Sequence, residues 1–342
     1  MCGTFMLDST SKPEAQTPEE GAAQPKTGAV IIGRNEGDRL RVCLVSVLPF
    51  IQAAVYVDSG STDGSVELAQ SLQADVVSLD LDLPFTAARG RNAGYRRLLT
   101  LHPGLRFIQF VDGDCEVVPG WIEAAVSYLE THPDCAVVCG RRRERFPERS
   151  VYNRMCDLEW DTPVGDALSC GGDALFRADA LVQAGGYRES LIAGEEPDLC
   201  LRLRHGGWRV HRLDHEMTRH DAAITRWPQW WRRTVRGGHA FAEGAWLHGA
   251  PPDRHWVRET WRAVLWGVLL PLAIALFGAL VDPRILLLAL LYPLQWLRLS
   301  LRNGSPLIAF FTLTGKFAEA QGVLKFCLTK LRGRTGRLIE YK

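Results

Sequence analysis

Short apolar runs alternate with longer segments of helical spacing through the first two thirds of the chain. Gly28-Ala-Val-Ile-Ile-Gly33, Ala54-Val-Tyr-Val57, Asp75-Val-Val-Ser-Leu79, Arg106-Phe-Ile-Gln-Phe-Val111 and Cys135-Ala-Val-Val138 read as strands, rich in β-branched and aromatic residues. Between them lie predicted helices from Asp38 to Leu48, from Ser65 as cap to about Gln73, from Thr86 to Leu101 and from Trp121 to Thr131. Trp208 to Met217 is again strand-like. Strands alternating with helices of this length imply βαβ units, a parallel sheet and an α/β domain over residues 28–225.

The pattern changes at both ends. Residues 1–27 are polar and proline-containing, too poor in apolar side chains to support a core, and lack the features of a secretory signal. An amphipathic interface or acceptor region at 226–260 leads to two apolar runs, Trp261 to Val281 and Ile285 to Leu297, broken by Asp282-Pro283-Arg284. The first approaches the ~20 residues needed to cross a bilayer. The second is shorter, so 261–301 fits a transmembrane hairpin or a re-entrant pair, with a buried hairpin of a soluble bundle as the alternative. Arg254, Arg258 and Arg262 before the pair, and Arg298 and Arg302 after it, favour both ends in the cytoplasm. Residues 302–342 read as a basic amphipathic tail. Its helix from Lys316 to Leu331 would carry Phe317, Leu324, Cys327 and Leu331 on one side, with Lys325, Lys330, Arg332, Arg334 and Arg337 toward anionic headgroups.

Composition adds little to this picture. The 342 residues carry a formal charge of +1, which gives no nucleic-acid signature. Nine cysteines are scattered without a Cys-x-x-Cys pair, which speaks against a zinc site or disulfide framework and fits a reducing compartment.

The candidate chemistry stands at strand ends, where open α/β sheets bind ligands. Asp112-Gly-Asp114 closes the apolar run 106–111. Two carboxylates this close resist joint ionisation unless a cation neutralises them, and a hard divalent ion suits oxygen ligands. An Asp-Gly-Asp triplet also makes ordinary turns. Asp58, just past the second strand in Val57-Asp-Ser-Gly-Ser-Thr-Asp-Gly-Ser65, can accept hydrogen bonds from a nucleobase or ribose. No Gly-Lys-Ser/Thr phosphate loop is present in the sequence, which argues against a nucleoside triphosphatase.

Together with Gly33-Arg34-Asn35-Glu36, the Asp58 segment resembles the start of family-2 glycosyltransferases with the GT-A fold. The resemblance runs on through Arg91-Asn-Ala-Gly94, Asp112-Gly-Asp114, Gly171-Gly172-Asp173, and Gly194-Glu195-Glu196-Pro-Asp198, roughly from Val30 to Arg233. It implies a nucleotide-sugar donor of UDP or GDP type, contacted by Arg34, Asn35, Glu36, Asp58, Arg91 and Asp112. It also implies a divalent metal (Mg2+ or Mn2+) on Asp112 and Asp114, with Asp114 the direct ligand and His220 completing the shell. Gly171, Gly172 and Asp173 would line the sugar and acceptor pocket. The catalytic base would be Glu196, the second acid of the family's two-acid motif, with Glu195 beside it, although both are equally ordinary acids for a helix start. Gln229-Trp-Trp-Arg232-Arg233 partly resembles the Gln-x-x-Arg-Trp of processive synthases, which marks Arg232 as a substrate contact while Arg233 replaces the tryptophan. Trp227, Trp230, Trp231 and Trp246 suit a membrane-interface belt, with an acceptor platform as the alternative.

The implied function is inverting, metal-dependent transfer to a hydroxyl of a lipid-linked or cell-envelope saccharide, on the cytoplasmic face of the inner membrane, in contact with lipids and without nucleic acid. A processive polysaccharide synthase and a non-catalytic GT-A-like membrane scaffold are the alternatives.

Overall fold

The computed structural model describes residues 26–333; Arg334 and Arg337, expected to face headgroups, lie outside the described residues. The chain begins as a Rossmann-like half: β1 (Thr27–Gly33), α1 (Asp38–Val47), β2 (Ala53–Asp58), α2 (Ser65–Ser71), β3 (Asp75–Ser78), α3 (Ala87–Leu101) and β4 (Phe107–Asp112). These strands are parallel in the order β3-β2-β1-β4. The side chains of β1, β2 and β4 are buried on both faces, as the unbroken apolar runs require, whereas the edge strand β3 is half-buried. Thr86 caps α3 by accepting from Arg89 N–H at 3.1 Å. Ser65 does not cap α2. Gly64, at φ +82°, holds that position, and Ser65 is the first helical residue.

The second half departs from the expected parallel sheet. It comprises β5 (Cys115–Val117), α4 (Trp121–Thr131), β6 (Cys135–Glu144), α5 (Val151–Glu159), β7 (Gly165–Asp166), β8 (Ala174–Arg177), α6 (Ala178–Gln183), α7 (Glu195–His205) and β9 (Arg209–His220). β8 inserts antiparallel between β4 and β6, and β9 runs parallel to β6 but antiparallel to β5 and β7. The single sheet is therefore mixed, in the order β3-β2-β1-β4-β8-β6-β9-β5 with β7 on β9.

Helices complete the molecule: α8 (Trp227–His248), α9 (Val257–Val264), a π turn, α10 (Leu270–Leu280), a 3-10 stretch, α11 (Leu291–Asn303) and α12 (Pro306–Leu331). Val257–Leu280 and Pro283–Asn303 form two helical segments long and apolar enough to cross a membrane. Only 17% of the first window and 6% of the second are buried, which is the opposite of a soluble core hairpin. α12 is one continuous helix packed on α8. Gly238 and Gly322 bring the backbones together: a Cβ on Gly238 would meet Glu319 O at 2.0 Å, and one on Gly322 would meet Val235 O at 2.1 Å. Phe317, Leu324, Cys327 and Leu331 are exposed, as are Lys325, Lys330 and Arg332. The buried side of α12 is instead built from Ala309, Phe311, Gly315, Ala318, Ala320, Gly322, Val323 and Phe326.

Candidate active site

The strand ends and the α8–α12 pair enclose a cavity of about 1110 Å³. Its floor is organised by Arg91, on α3 and only 3% exposed. One guanidinium nitrogen donates to Glu195 at 2.7 Å and another to Asp112 at 2.8 Å. Burial raises the Asp112 carboxyl, but Arg91 and Arg142 outweigh it and hold Asp112 below the ordinary carboxylate range. Gly172 makes this pairing fit, because a Cβ there would stand 2.7 Å from Arg91 Nη2 and 3.2 Å from Asp112 Oδ2.

Beside this hub, β5 and β9 pair with Cys115 opposite His220. That register sets His220 Nε2 3.1 Å from Asp114 Oδ2, both residues buried and both on the cavity wall. Trp160 tilts over the His220 ring at 4.8 Å between centroids. An acid and an imidazole converging on one point fit a divalent cation such as Mn2+, with Cys115 as a softer neighbour.

The two α7 acids differ in their company. Glu195 is ion-paired to Arg91. Glu196 accepts from Cys170 N–H at 2.5 Å and from the Cys200 thiol at 3.0 Å. Both sit at the helix N-terminus, where the dipole favours negative charge, and both line the cavity. Asp198, by contrast, faces away and is held by Arg188, Arg202 and His248.

Several sequence expectations move. Arg34, Asn35 and Glu36 line the cavity, with Asn35 tied to Ser61 and Thr62. Asp58 does not line it. Its carboxylate is buried and accepts from Gly60 N–H at 2.9 Å and Ser61 N–H at 3.0 Å, which fixes the loop that anchors Asn35. Asp173 is wholly buried rather than a lining residue, and accepts from Asp112 N–H, Thr218 Oγ1 and Arg142. Gly172 lines the cavity, whereas Gly171 is exposed outside it. Arg232 is exposed and donates to Pro228 O of its own helix; one residue on, Arg233 lines the cavity and pairs with Glu159 at 2.9 Å. Trp230 is buried against Phe311 and lines the cavity instead of joining a lipid belt, while Trp246 is exposed.

The sequence reading missed the contribution of α12. Phe311, Thr312, Lys316 and Glu319 close one wall. It also missed Arg142, hidden in the run Arg141-Arg142-Arg143, where nothing distinguishes the inward-facing member.

Known proteins agree with this architecture. The model of the family described as "Glycosyl transferase family 2" matches residues 29–167. Residues 29–167 are a family-2 glycosyltransferase domain. The chain is also similar to the succinoglycan biosynthesis protein ExoA of Rhizobium meliloti (strain 1021), with 28% identity over 180 residues, 49% of this chain and 54% of that protein. The chain thus matches about half the length of this curated relative. Among solved structures it resembles a mannosyltransferase, PcManGT from Pyrobaculum calidifontis, in complex with GDP-Man and Mn2+. The TM-score is 0.63 at 17% identity, over 92% of each chain, and establishes the GT-A fold of this chain.

Proposed function

We propose that this glycosyltransferase moves a sugar, with inversion and with help from a divalent metal, from a UDP- or GDP-type nucleotide-sugar to a hydroxyl of a lipid-linked or envelope saccharide. The observation that carries this reading is a single cavity lined by Asp112, Asp114 and His220 on one side and Glu195 and Glu196 on the other. Asp114 and His220 would hold the metal, with Asp112 beside them. A cation bound there would offset charge on the leaving diphosphate. Arg91 orients Asp112 and Glu195 together, so the donor-side and acceptor-side acids keep a fixed relation.

Glu196 is proposed as the base. Glu195 is already committed to Arg91 at 2.7 Å, which sets it aside for positioning. The acceptor O–H proton passes to Glu196 as the oxygen bonds to the anomeric carbon, and the bond from that carbon to the diphosphate oxygen breaks. Attack opposite the leaving group inverts the stereochemistry. No covalent intermediate is required.

The exposed apolar segments Val257–Leu280 and Pro283–Asn303 support a site at the membrane, and the arginines flanking them support a cytoplasmic face. ExoA's role in succinoglycan biosynthesis supports an envelope or exported saccharide as acceptor. The Pyrobaculum complex makes GDP-Man with Mn2+ the first donor to try. Purified full-length protein, incubated with a panel of nucleotide-sugars and Mn2+, should release nucleoside diphosphate with at least one donor. Release that is absent for every donor and every acceptor extract would leave only the scaffold reading.

A further inference from the structure

Behind Glu196 lies a cluster that the proposed reaction does not use. Cys170 stands two residues before Gly172, which lines the cavity, and Cys200 stands one turn along α7 from Glu196. Their Sγ atoms are 3.5 Å apart, and Cys200 Sγ is 3.0 Å from Glu196 Oε1. All three ligand atoms lie within 4.8 Å of one another, and all three residues are buried. Cys170 and Cys200 are thirty residues apart in the chain, so no cysteine spacing advertises the pair.

Two cysteines, which would lose their protons on binding a metal, and a carboxylate form a donor set for a soft or borderline cation, unlike the Asp114–His220 pair. In a tetrahedral zinc site with Zn–S near ~2.3 Å, two sulfurs stand about 3.8 Å apart. The observed 3.5 Å needs only a few tenths of an ångström of spreading. Glu196 and Gly172 line the cavity, which places one member of the cluster within reach of an entering ion.

We propose that Cys170, Cys200 and Glu196 form a zinc-binding site, distinct from the Asp114–His220 site, whose occupation stops sugar transfer. The inhibitory half rests on Glu196 being the base, since a carboxylate that ligates a cation cannot accept a proton. The binding half does not rest on it.

The test uses full-length protein in detergent, kept reduced with a non-chelating phosphine, with saturating Mn2+ to fill the hard-ligand site. Zn2+ is titrated against a competing chelator, and Co2+ is substituted to read thiolate-to-metal charge-transfer absorption. One equivalent should bind with that absorption. Affinity should fall by more than about tenfold in Cys170→Ala/Cys200→Ala, since even changes beyond the direct ligands cost that much. Cys200→Ser, which keeps side-chain volume and hydrogen bonding, separates loss of a ligand from loss of packing. Zinc should also suppress transfer, and chelator should restore it. Absence of the thiolate absorption, or undiminished zinc affinity in the double variant, overturns the site. Zinc binding with thiolate absorption but undiminished transfer leaves the site standing and overturns Glu196 as the base.

Discussion

Arg91 and Glu195 meet at 2.7 Å although 104 residues of chain separate them, and both are buried. The pair ties α3 to the start of α7. Removing one partner strands a buried charge, which typically costs about 3–5 kcal/mol. Arg91→Met should therefore lower the melting temperature markedly as well as abolish turnover. A variant that melts like the parent would show that the pair does not hold the two helices together.

Asp114→Ala removes the acid that faces His220 at 3.1 Å. Loss of one such transition-state contact costs on the order of 10²–10³ in rate. Turnover measured at saturating donor across a Mn2+ titration should show that drop together with weakened metal dependence. Near-parental turnover without added metal would remove the metal from the proposed site.

Glu196→Gln should lower kcat while leaving donor affinity intact, because the amide keeps size and hydrogen bonding but cannot take a proton. Glu195→Gln should instead weaken donor binding and stability through Arg91. The two variants are to be compared by kcat, donor affinity and thermal melting. A greater loss of kcat in Glu195→Gln, with stability preserved, would move the base one residue back.

Asp58→Ala should reduce nucleotide affinity indirectly, by freeing the loop that Asp58 holds through Gly60 and Ser61. Asp58→Asn keeps one acceptor oxygen for those N–H groups and should lie between parent and alanine variant. Nucleoside diphosphate titration is the measurement. Equal affinity in all three proteins would rule out any role for the loop in donor binding.

Glu243 and His239 face each other on α8 at 3.5 Å. Burial raises the Glu243 carboxyl to about 7 and lowers His239 to about 4. A raised carboxyl means the folded state binds more protons, so its contribution is present below the unfolded value of about 4.5 and is lost as pH rises toward 7. The depressed histidine acts oppositely: its contribution is present above about 6.5 and is lost as pH falls toward 4. Glu243→Gln should raise the melting temperature at pH 8 and do little at pH 4.5. Equal shifts at both pH values would show that Glu243 does not carry the effect.

The sequence made the first half of the sheet legible because β1, β2 and β4 are continuous apolar runs set off by helical segments. β8 escaped because Ala174–Arg177 is four residues long and its partners lie far away in the chain. Asp112, Asp114 and the α7 acids were visible as motif residues, and the resemblance already marked Asp114 as ligand and Glu196 as base. What the motifs could not show is the packing, in which Arg91 pairs with Glu195 and Cys170 N–H with Glu196. The Arg232 expectation failed by helix phase alone, since one residue rotates a side chain about 100° and carries Arg233, not Arg232, to the cavity. Nothing in the apolar pattern of α12 revealed that its glycines would seat it on α8.

The place of β8 between β4 and β6 governs when the molecule can assemble during synthesis. A nascent chain ending at residue 167 holds every strand up to β7 yet lacks the one that joins β4 to β6. Until residues 174–177 leave the ribosome, those two strands each offer an open hydrogen-bonding edge, and until Glu195 follows, Arg91 lacks its partner on α7. The segment matched by the family model is thus not a folding unit by itself. Closure of the sheet must wait for β9, whose last residue, His220, comes shortly before the helices that lead to the apolar segments. Sheet completion therefore falls just before the apolar helices are made, and an arrested chain of about 200 residues should be protease-sensitive where one of about 260 residues is resistant.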